Sequence, residues 1–334
     1  MDWTQGYSAK YYLSILDKDT LRDIDRVEIT DGTIKRSLTD LRESADVNCS
    51  KYDSDKEEYI RVWLDTRQNG ESSHTPLFTG LATSPTNKYS GHKLKNSVQC
   101  YSLLKIAQDV MLPRGWYAPV DANGGKLVKD LLSIVGVPIK MGDNPPTLSQ
   151  AIIAESGENR LSMADKILDA MNWKLRLDGL GVIYLQPISK DPLISIDSNE
   201  NDIIETEINI TYDWYSAPNV VRVVLDNDCA IARDDNPNSP LSTVRRGREV
   251  WVEVTSVQLN TNETLAEYAY RVLKEYQNVA TTISYSRRFY PEISTGDIIR
   301  INYPAQKVQG NFLITDQSIS LGYNATTSEE VYKL

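Results

Sequence analysis

From Tyr59 to Ala82 the chain alternates apolar and polar side chains, breaks at a short polar turn, and then resumes an extended pattern. Tyr59-Ile60-Arg61-Val62-Trp63-Leu64-Asp65 is followed by Gln68-Asn69-Gly70-Glu71 and then by Pro76-Leu77-Phe78-Thr79-Gly80-Leu81-Ala82. A period of two sends one face of a strand to a core and the other to water. Strands joined this tightly favour a small antiparallel barrel or sandwich over a parallel sheet, whose strands need long crossovers. The pattern begins earlier. Val27 to Cys49 reads as strand, turn and strand, with Thr30-Asp31-Gly32-Thr33 supplying an Asp-Gly turn.

Around Tyr101 the period lengthens to about 3.6. Leu103, Leu104, Ala107 and Val110 share one face of a short helix that Pro113 and Gly115 terminate. Leu127, Val128, Leu131, Leu132 and Val135 mark a second helix, which Gly136 and Pro138 stop. Lys140 to Gly157, with Pro145-Pro146, reads as an exposed connection and a soft boundary. Ser162-Met163-Ala164-Asp165 resembles a capping box, with Ile167, Leu168 and Met171 as the apolar face of its helix. Trp173, Leu175 and Leu177 then alternate up to Asp178-Gly179, and Val182 and Tyr184 alternate after it, so a tight hairpin follows this helix.

Further strands are expected at Ile203 to Tyr212, Val220 to Leu225 and Val250 to Leu259, separated by turn formers such as Asp234-Asp235-Asn236-Pro237-Asn238. Thr264 and Glu267 form the capping box of a last helix, with Leu265, Ala269, Val272, Leu273 and Tyr276 as its buried stripe. Thr281 to Tyr290, Asp297 to Tyr303, Phe312 to Leu321 and Glu330 to Leu334 finish the chain as strands. No repeat of fixed period and no low-complexity tract is present, which removes solenoids and propellers.

At roughly 100 to 200 residues per domain, 334 residues imply two or three domains. Hydrophobic residues at 40% supply ample core material and exclude wholesale disorder. No apolar run approaches the roughly 18 to 20 residues of a membrane span, and Met1-Asp2-Trp3-Thr4-Gln5 lacks the basic start and apolar core of a secretory signal. Synthesis in the cytoplasm without stable membrane insertion is therefore expected. A net charge of -10 opposes general attraction to phosphate backbones, so primary nucleic-acid binding is not expected. Arg245-Arg246-Gly247-Arg248 reads as a solvated loop. Cys49, Cys100 and Cys229 lie far apart, in or beside apolar or alternating segments, and read as buried structural thiols.

Catalytic chemistry finds little to work with. His74 and His92 are the two histidines, each near Ser and Gly in an expected loop with no metal-ligand spacing nearby. A Ser-His-Asp triad would need one of them as base, and no Gly-x-Ser-x-Gly elbow supplies the nucleophile. The P-loop pattern is absent, and Gly179-Leu180-Gly181 follows a hairpin turn rather than opening a helix. Asp53-Ser54-Asp55-Lys56-Glu57-Glu58 begins like a calcium loop but has Glu58 where an EF-hand requires glycine. Carboxylate pairs for glycoside hydrolysis carry no local signature, and 46 acids guarantee accidental candidates. No catalytic, cofactor-binding or metal residue is assigned, and no cofactor is expected. The 19 Tyr and 6 Trp against 3 Phe suit interfaces or sugar stacking, with Trp116-Tyr117 and Asp213-Trp214-Tyr215 as the most exposed-looking clusters.

The order of elements resembles the baseplate hub proteins of phage tails and contractile injection devices, the late control protein D family. Arg36-Ser37, Glu43-Ser44-Ala45 and Val47-Asn48-Cys49 look like that family's opening barrel, and Pro76-Leu77-Phe78-Thr79-Gly80 like its recurrent strand. Val98-Gln99-Cys100-Tyr101-Ser102-Leu103-Leu104 is similar to its exit into a helix, and Ala164 to Tyr184 to its helix and Asp-Gly hairpin. Ala217-Pro218-Asn219-Val220-Val221-Arg222-Val223 resembles its re-entry into a barrel; Leu265-Ala266 to Leu273 and Pro291 to Asp297 resemble its closing helix and strand.

The resemblance implies an α+β, mainly β chain. It would hold a first β-barrel domain over 1–100, a mixed helical and hairpin domain over 101–190, and a second barrel region with a capping helix over 191–334. The barrels are small and antiparallel, and one can be assembled from separated segments. The closing helix is expected to pack across the second barrel, with Gly296-Asp297 a tight turn between strands. The resemblance further implies a homotrimeric ring that adapts a sixfold tail tube to a threefold central spike. Its partners would be tube, spike, tape-measure and baseplate wedge proteins, with DNA only as passing cargo. A distal tail or receptor-binding protein that recognises glycans, or a tail-associated cell-wall hydrolase, is the competing expectation.

Overall fold

The computed structural model describes residues 2–334 except 4, 50, 53–55, 91–92, 189–190, 199–203, 226–227, 256, 258, 260–262, 280 and 323–325. The chain opens with β1 (Ser8–Leu16), β2 (Asp23–Ser37), β3 (Glu43–Cys49), β4 (Glu58–Gln68), β5 (Glu71–Ser90) and β6 (Lys93–Ser102). They pair in the order β1-β4-β5-β6-β3-β2, and β1 pairs again with β2 from Tyr11↔Ile29 to Leu16↔Asp23. The antiparallel ring is therefore closed, which removes its edges. The alternation in β4 reads directly onto this barrel: Ile60, Val62 and Leu64 are buried with Leu13, Ile34, Val47, Phe78 and Val98.

Asn69 and Gly70 have positive φ of 51° and 89° and make the expected two-residue turn. Asp31-Gly32 does not turn. It lies inside β2 beside a register shift between Ile29 and Asp31, and the chain reverses at 38–42, where Asp40 and Arg42 have positive φ. Gly32 is needed for close approach: a Cβ there would sit 2.6 Å from the Asp46 carbonyl oxygen.

The middle of the chain contains α1 (Leu104–Gln108), β7 (Tyr117–Ala118), α2 (Gly124–Leu132), β8 (Ile139–Met141), β9 (Ile152–Ile153), α3 (Arg160–Met171), β10 (Trp173–Leu177) and β11 (Ile183–Pro187). Leu104, Val128, Leu132, Ile167, Leu168 and Trp173 share one core. The second helix stops at a 3-10 turn and Gly136, with φ 75°, as its sequence requires. The first helix ends at Gln108, short of Val110.

The segment read as an exposed connection is built into this unit. β8 pairs in parallel with β11, β9 pairs with β7, and Leu148 is buried. Asn159, not Ser162, caps α3, and its side chain accepts from the Ser162 amide at 2.8 Å. Asp165 is thereby released from capping and pairs with Arg42 in the 38–42 turn at 2.5 Å. The hairpin forms as expected, with Leu175 opposite Leu185, but Ile183 and Leu185 point inward rather than Val182 and Tyr184.

The remainder comprises β12 (Ile194–Asp197), β13 (Ile204–Tyr212), β14 (Val220–Leu225), β15 (Asp228–Arg233), α4 (Thr243–Arg246), β16 (Trp251–Val254), α5 (Leu265–Val279), β17 (Thr281–Arg288), β18 (Ile298–Tyr303), β19 (Val308–Leu321) and β20 (Thr326–Lys333). A second ring runs β12-β18-β19-β20-β17-β13 around Ile196, Ile283, Ile299, Phe312, Ile314 and Val331. It departs from a closed antiparallel barrel: β12 joins β18 in parallel, and no pairing closes β12 to β13 among the described residues.

The capping box of α5 is reciprocal. The Thr264 amide donates to Glu267 at 2.9 Å, and the Glu267 amide donates to the Thr264 hydroxyl at 3.3 Å. Its buried face, however, lies on a separate sheet β15-β14-β16, against Val221, Val223 and Ala232, and not across the second ring. Tyr268 is buried there, whereas Tyr276, expected on the buried stripe, is exposed.

The 178–182 loop docks the hairpin on the first barrel. Asp178 accepts from the Leu180 and Val182 amides, and the Thr79 hydroxyl donates to the Gly179 carbonyl at 2.7 Å. A Cβ on Gly179 would lie 2.0 Å from the Pro76 carbonyl oxygen, a backbone atom that cannot move aside. Gly179→Ala should therefore cost about 1–3 kcal/mol, read as a lower urea midpoint with an unchanged slope.

Candidate functional site: a buried junction and an aromatic surface

The two rings are spliced where β19 pairs with β2, from Asp316↔Ser37 to Leu321↔Gly32. Polar side chains cross this splice in one connected series. Arg287 and Glu329, both with 0% side-chain exposure, form a two-pronged ion pair, Nε to Oε2 at 2.9 Å and Nη2 to Oε1 at 2.6 Å. The Tyr285 hydroxyl donates to Glu329 Oε2 at 2.7 Å and the Gln317 amide to Oε1 at 2.8 Å. Gln317 Oε1 in turn accepts from Arg36 of the first barrel at 3.1 Å, and Arg36 also donates to the Leu77 carbonyl at 2.8 Å.

Arg36 Nε stands 2.9 Å from Glu43 Oε1, close enough for an ion pair but poorly aligned for a hydrogen bond, and Glu43 Oε2 has no hydrogen-bond partner among the described residues. Burial dominates at Glu43 and pushes its carboxyl up to about 7 despite the pull of Arg36. The hairpin unit joins the same region. Arg176 reaches Asp297 at 3.1 Å, Lys174 lies 3.9 Å from the same oxygen and donates to the Gly296 carbonyl, and Asp297 also accepts from the Ser294 amide. Gly296-Asp297 is thus a turn, and its carboxylate clamps the hairpin to the second ring.

From the sequence, Arg36 is named only as part of the opening barrel, and Arg287, Gln317 and Glu329 are not singled out. A signal was present: Ile283 and Tyr285 set a phase that puts Arg287 inward, and Val331 sets one that puts Glu329 inward.

The residues tested for chemistry do not converge. His74 lies within β5, opposite Asp65 on β4, and not in a loop; it is half exposed, stacked on Trp63 at 3.8 Å and paired with Asp65. His92 and residues 53–55 of the acidic run lie outside the described residues. Among the described residues no group of three or more His, Cys, Asp or Glu could hold a metal ion, and no helix is long and apolar enough to cross a membrane. Cys49 and Cys100 are buried, and burial pushes the Cys49 thiol up to about 12; Cys229 is exposed on β15, contrary to the expectation of burial. Arg245 and Arg246 end the short α4, and Arg246 donates to the Ala217 carbonyl at 2.6 Å and to the Trp214 carbonyl. That arginine is structural rather than a solvated loop residue.

Of the two aromatic clusters, Trp116 packs partly against the helical core, whereas Trp214 and Tyr215 project into solvent. They stand beside a groove of about 640 Å³ between β16 and α5, lined by Ala217, Pro218, Trp251, Val254, Val272 and Tyr276. A larger groove of about 1420 Å³ lies between α3, α5 and the ends of β18 to β20, with Asp169, Trp173, Arg271, Arg300 and Tyr332 among its walls. In the smaller groove the Ser216 hydroxyl donates to Asp213, and in the larger one Lys166 pairs with Glu155; the first bond closes the 213–216 turn and the second is a surface ion pair.

Two outcomes follow from the junction. Arg287→Met leaves Glu329 buried without its countercharge and should cost about 3–5 kcal/mol in denaturant unfolding. Arg287→Met with Glu329→Leu should recover only part of that loss, because Tyr285 and Gln317 then lose their acceptor. At Glu43 the folded state holds a proton that the unfolded chain releases. Its stabilising contribution is complete below the ordinary value of 4.5 and is lost as pH rises through about 7. Glu43→Gln should flatten the stability profile across that window, as measured by thermal unfolding at a series of pH values.

No protein-family model and no curated protein matches the chain. Solved structures do. A 43 kDa tail protein of prophage MuSo2 from Shewanella oneidensis aligns with TM-score 0.70 and 13% identity, over 98% of this chain and 97% of that one. A tail protein from Neisseria meningitidis MC58 aligns with TM-score 0.72 and 13% identity, over the same shares. An Escherichia coli type VI secretion component, described as structurally similar to T4 bacteriophage tail proteins, aligns with TM-score 0.54 and 10% identity, over 96% of this chain and 76% of that one. Across nearly its whole length, this chain has the fold of phage tail proteins and their secretion-system counterparts.

Proposed function

We propose that this chain is a structural hub protein in the baseplate of a phage tail or of a phage-tail-like contractile particle. Three copies form a ring in which each contributes two strand rings, giving approximate sixfold symmetry toward a tail tube and threefold symmetry toward a central spike. Tube, spike, tape-measure and wedge proteins are its partners, and DNA passes through the ring only as cargo. The proposed units are a first barrel in 1–100, a helical and hairpin domain in 101–190 and a second barrel region in 191–334, with β2 and β19 shared between the barrels. The protein acts after synthesis in the bacterial cytoplasm, as part of the tail baseplate.

The observation that carries this proposal is the alignment of 98% of the chain with two tail proteins at TM-scores of 0.70 and 0.72. The buried junction supports it physically. A ring closes only when every interface holds the correct rotation, and a subunit with a stiff connection between its two rings transmits that rotation. The work is geometric, so no catalytic step is assigned. A net charge of -10 suits a channel wall that does not retain DNA.

Copy number tests the proposal. Quantitative mass spectrometry of purified particles should find three copies per tail end, beside tube subunits in multiples of six. One copy or six copies would contradict the hub role.

A further inference from the structure

We propose that the open edge of β16, with the aromatic groove beside it, receives strand β13 of a second copy of this chain. The inference deepens the ring arrangement above and rests on it. β16 pairs only with β14, and β13 pairs only with β17, so each leaves one row of main-chain groups open among the described residues. Open edges are templates for another strand, and strand addition draws affinity from the backbone and specificity from adjacent pockets.

The pocket is the groove between β16 and α5, and its rim is built for contact. Trp214 is 56% exposed and Tyr215 85% exposed, yet their turn is fixed. Asp213 accepts from the Tyr215 and Ser216 amides at 3.1 Å, while Arg246 holds the Ala217 carbonyl. Trp251 is held by its indole donating to Glu249 at 2.8 Å, and Trp214 packs on Tyr212 with ring centres 5.5 Å apart. Large aromatics locked before binding lose little freedom on contact, which is the character of interface anchors.

Charge and pattern select the occupant. The nearby acids are engaged: Asp213 by Ser216, Glu249 by Arg233, Glu253 by Arg222 and Glu275 by Arg271. Arg245 and Arg248 are exposed and have no ion-pair partner among the described residues, so the uncompensated charge here is positive. β13 carries Glu207 on its exposed face together with Asn209 and Thr211, and half-buried Ile208 and Ile210 on the other. β16 has the same alternation, with exposed Trp251 and Glu253 and half-buried Val252 and Val254. Aligned side by side, the two strands extend one apolar face and bring Glu207 toward Arg245 and Arg248. Donor and acceptor edges are different surfaces of one chain, so the contact is head-to-tail, and every β13 and β16 edge is covered only when the ring closes.

The test uses the full chain and purified particles. Arg245→Glu with Arg248→Glu, and separately Trp251→Ala, should each weaken self-association at least tenfold in sedimentation. Adding Glu207→Arg to the charge-reversed chain should restore it, which a folding defect would not allow. A photo-crosslinking residue at position 248, in particles mixing isotopically light and heavy copies, should join the 204–212 peptide of another copy. Unchanged association in the variants, no rescue, or crosslinks to a different protein would overturn the proposal while leaving a three-copy ring intact. Loss of binding to purified wall polysaccharide in the Trp251→Ala chain, with association unchanged, would overturn it in favour of a glycan site. A single copy per particle would instead overturn the ring itself.

Discussion

The pairing of Arg287 with Glu329 across β17 and β20, extended through Gln317 to Arg36 on β2, is the interaction on which the rest of this molecule depends. Two charges with no solvent exposure are costly to bury and are tolerated only when their hydrogen bonds are met in one arrangement. The arrangement reaches across the β2 and β19 splice through the Arg36–Gln317 bond, so a turn of one ring against the other would cost the buried Arg36 guanidinium that acceptor. For this chain we take geometric definition, rather than added stability, to be what the network supplies.

The other contacts are graded around that junction. The hairpin unit is fastened on two sides, by Gly179 against the first barrel and by Asp297 against the second ring, so three units share one rigid centre. The β14–β16 sheet with α5 is held differently. It has its own small core, is inserted between β13 and β17, and is flanked by both large grooves. In the proposed ring the buried centre sets the angle, and the peripheral sheet, with its open edges and exposed aromatics, makes the contact.

Much of this was legible in the sequence because it is local. The alternation of Ile60, Val62 and Leu64, the Asn69-Gly70 turn, the Gly136 stop and the Thr264–Glu267 capping box all follow from spacing within a few residues, and each stands where it was expected. The misses have non-local causes. Asp31-Gly32 has turn chemistry, but a neighbouring strand approaches too closely for any side chain at Gly32. Ser162 and Asp165 have capping chemistry, but Asn159 is better placed and Arg42 claims the carboxylate. Tyr276 and Cys229 belong to apolar or alternating patterns in the sequence, but both are exposed in the fold. The placement of α5 depends on strands tens of residues earlier in the chain, and the joining of the rings through β2 and β19 on partners hundreds of residues apart, which no local window of the sequence contains.

The central claim is that three copies, each holding its two strand rings at an angle fixed by the buried junction, make one pseudo-sixfold collar at a tail tip. An electron-microscopic reconstruction of the tail tip, fine enough to trace this chain, tests it most directly. The account predicts six strand rings around one axis, supplied by three chains, with the β2 and β19 splice and the Arg287–Glu329 pair intact in each. A single chain at the tip, six chains, or two rings separated at the splice would contradict it.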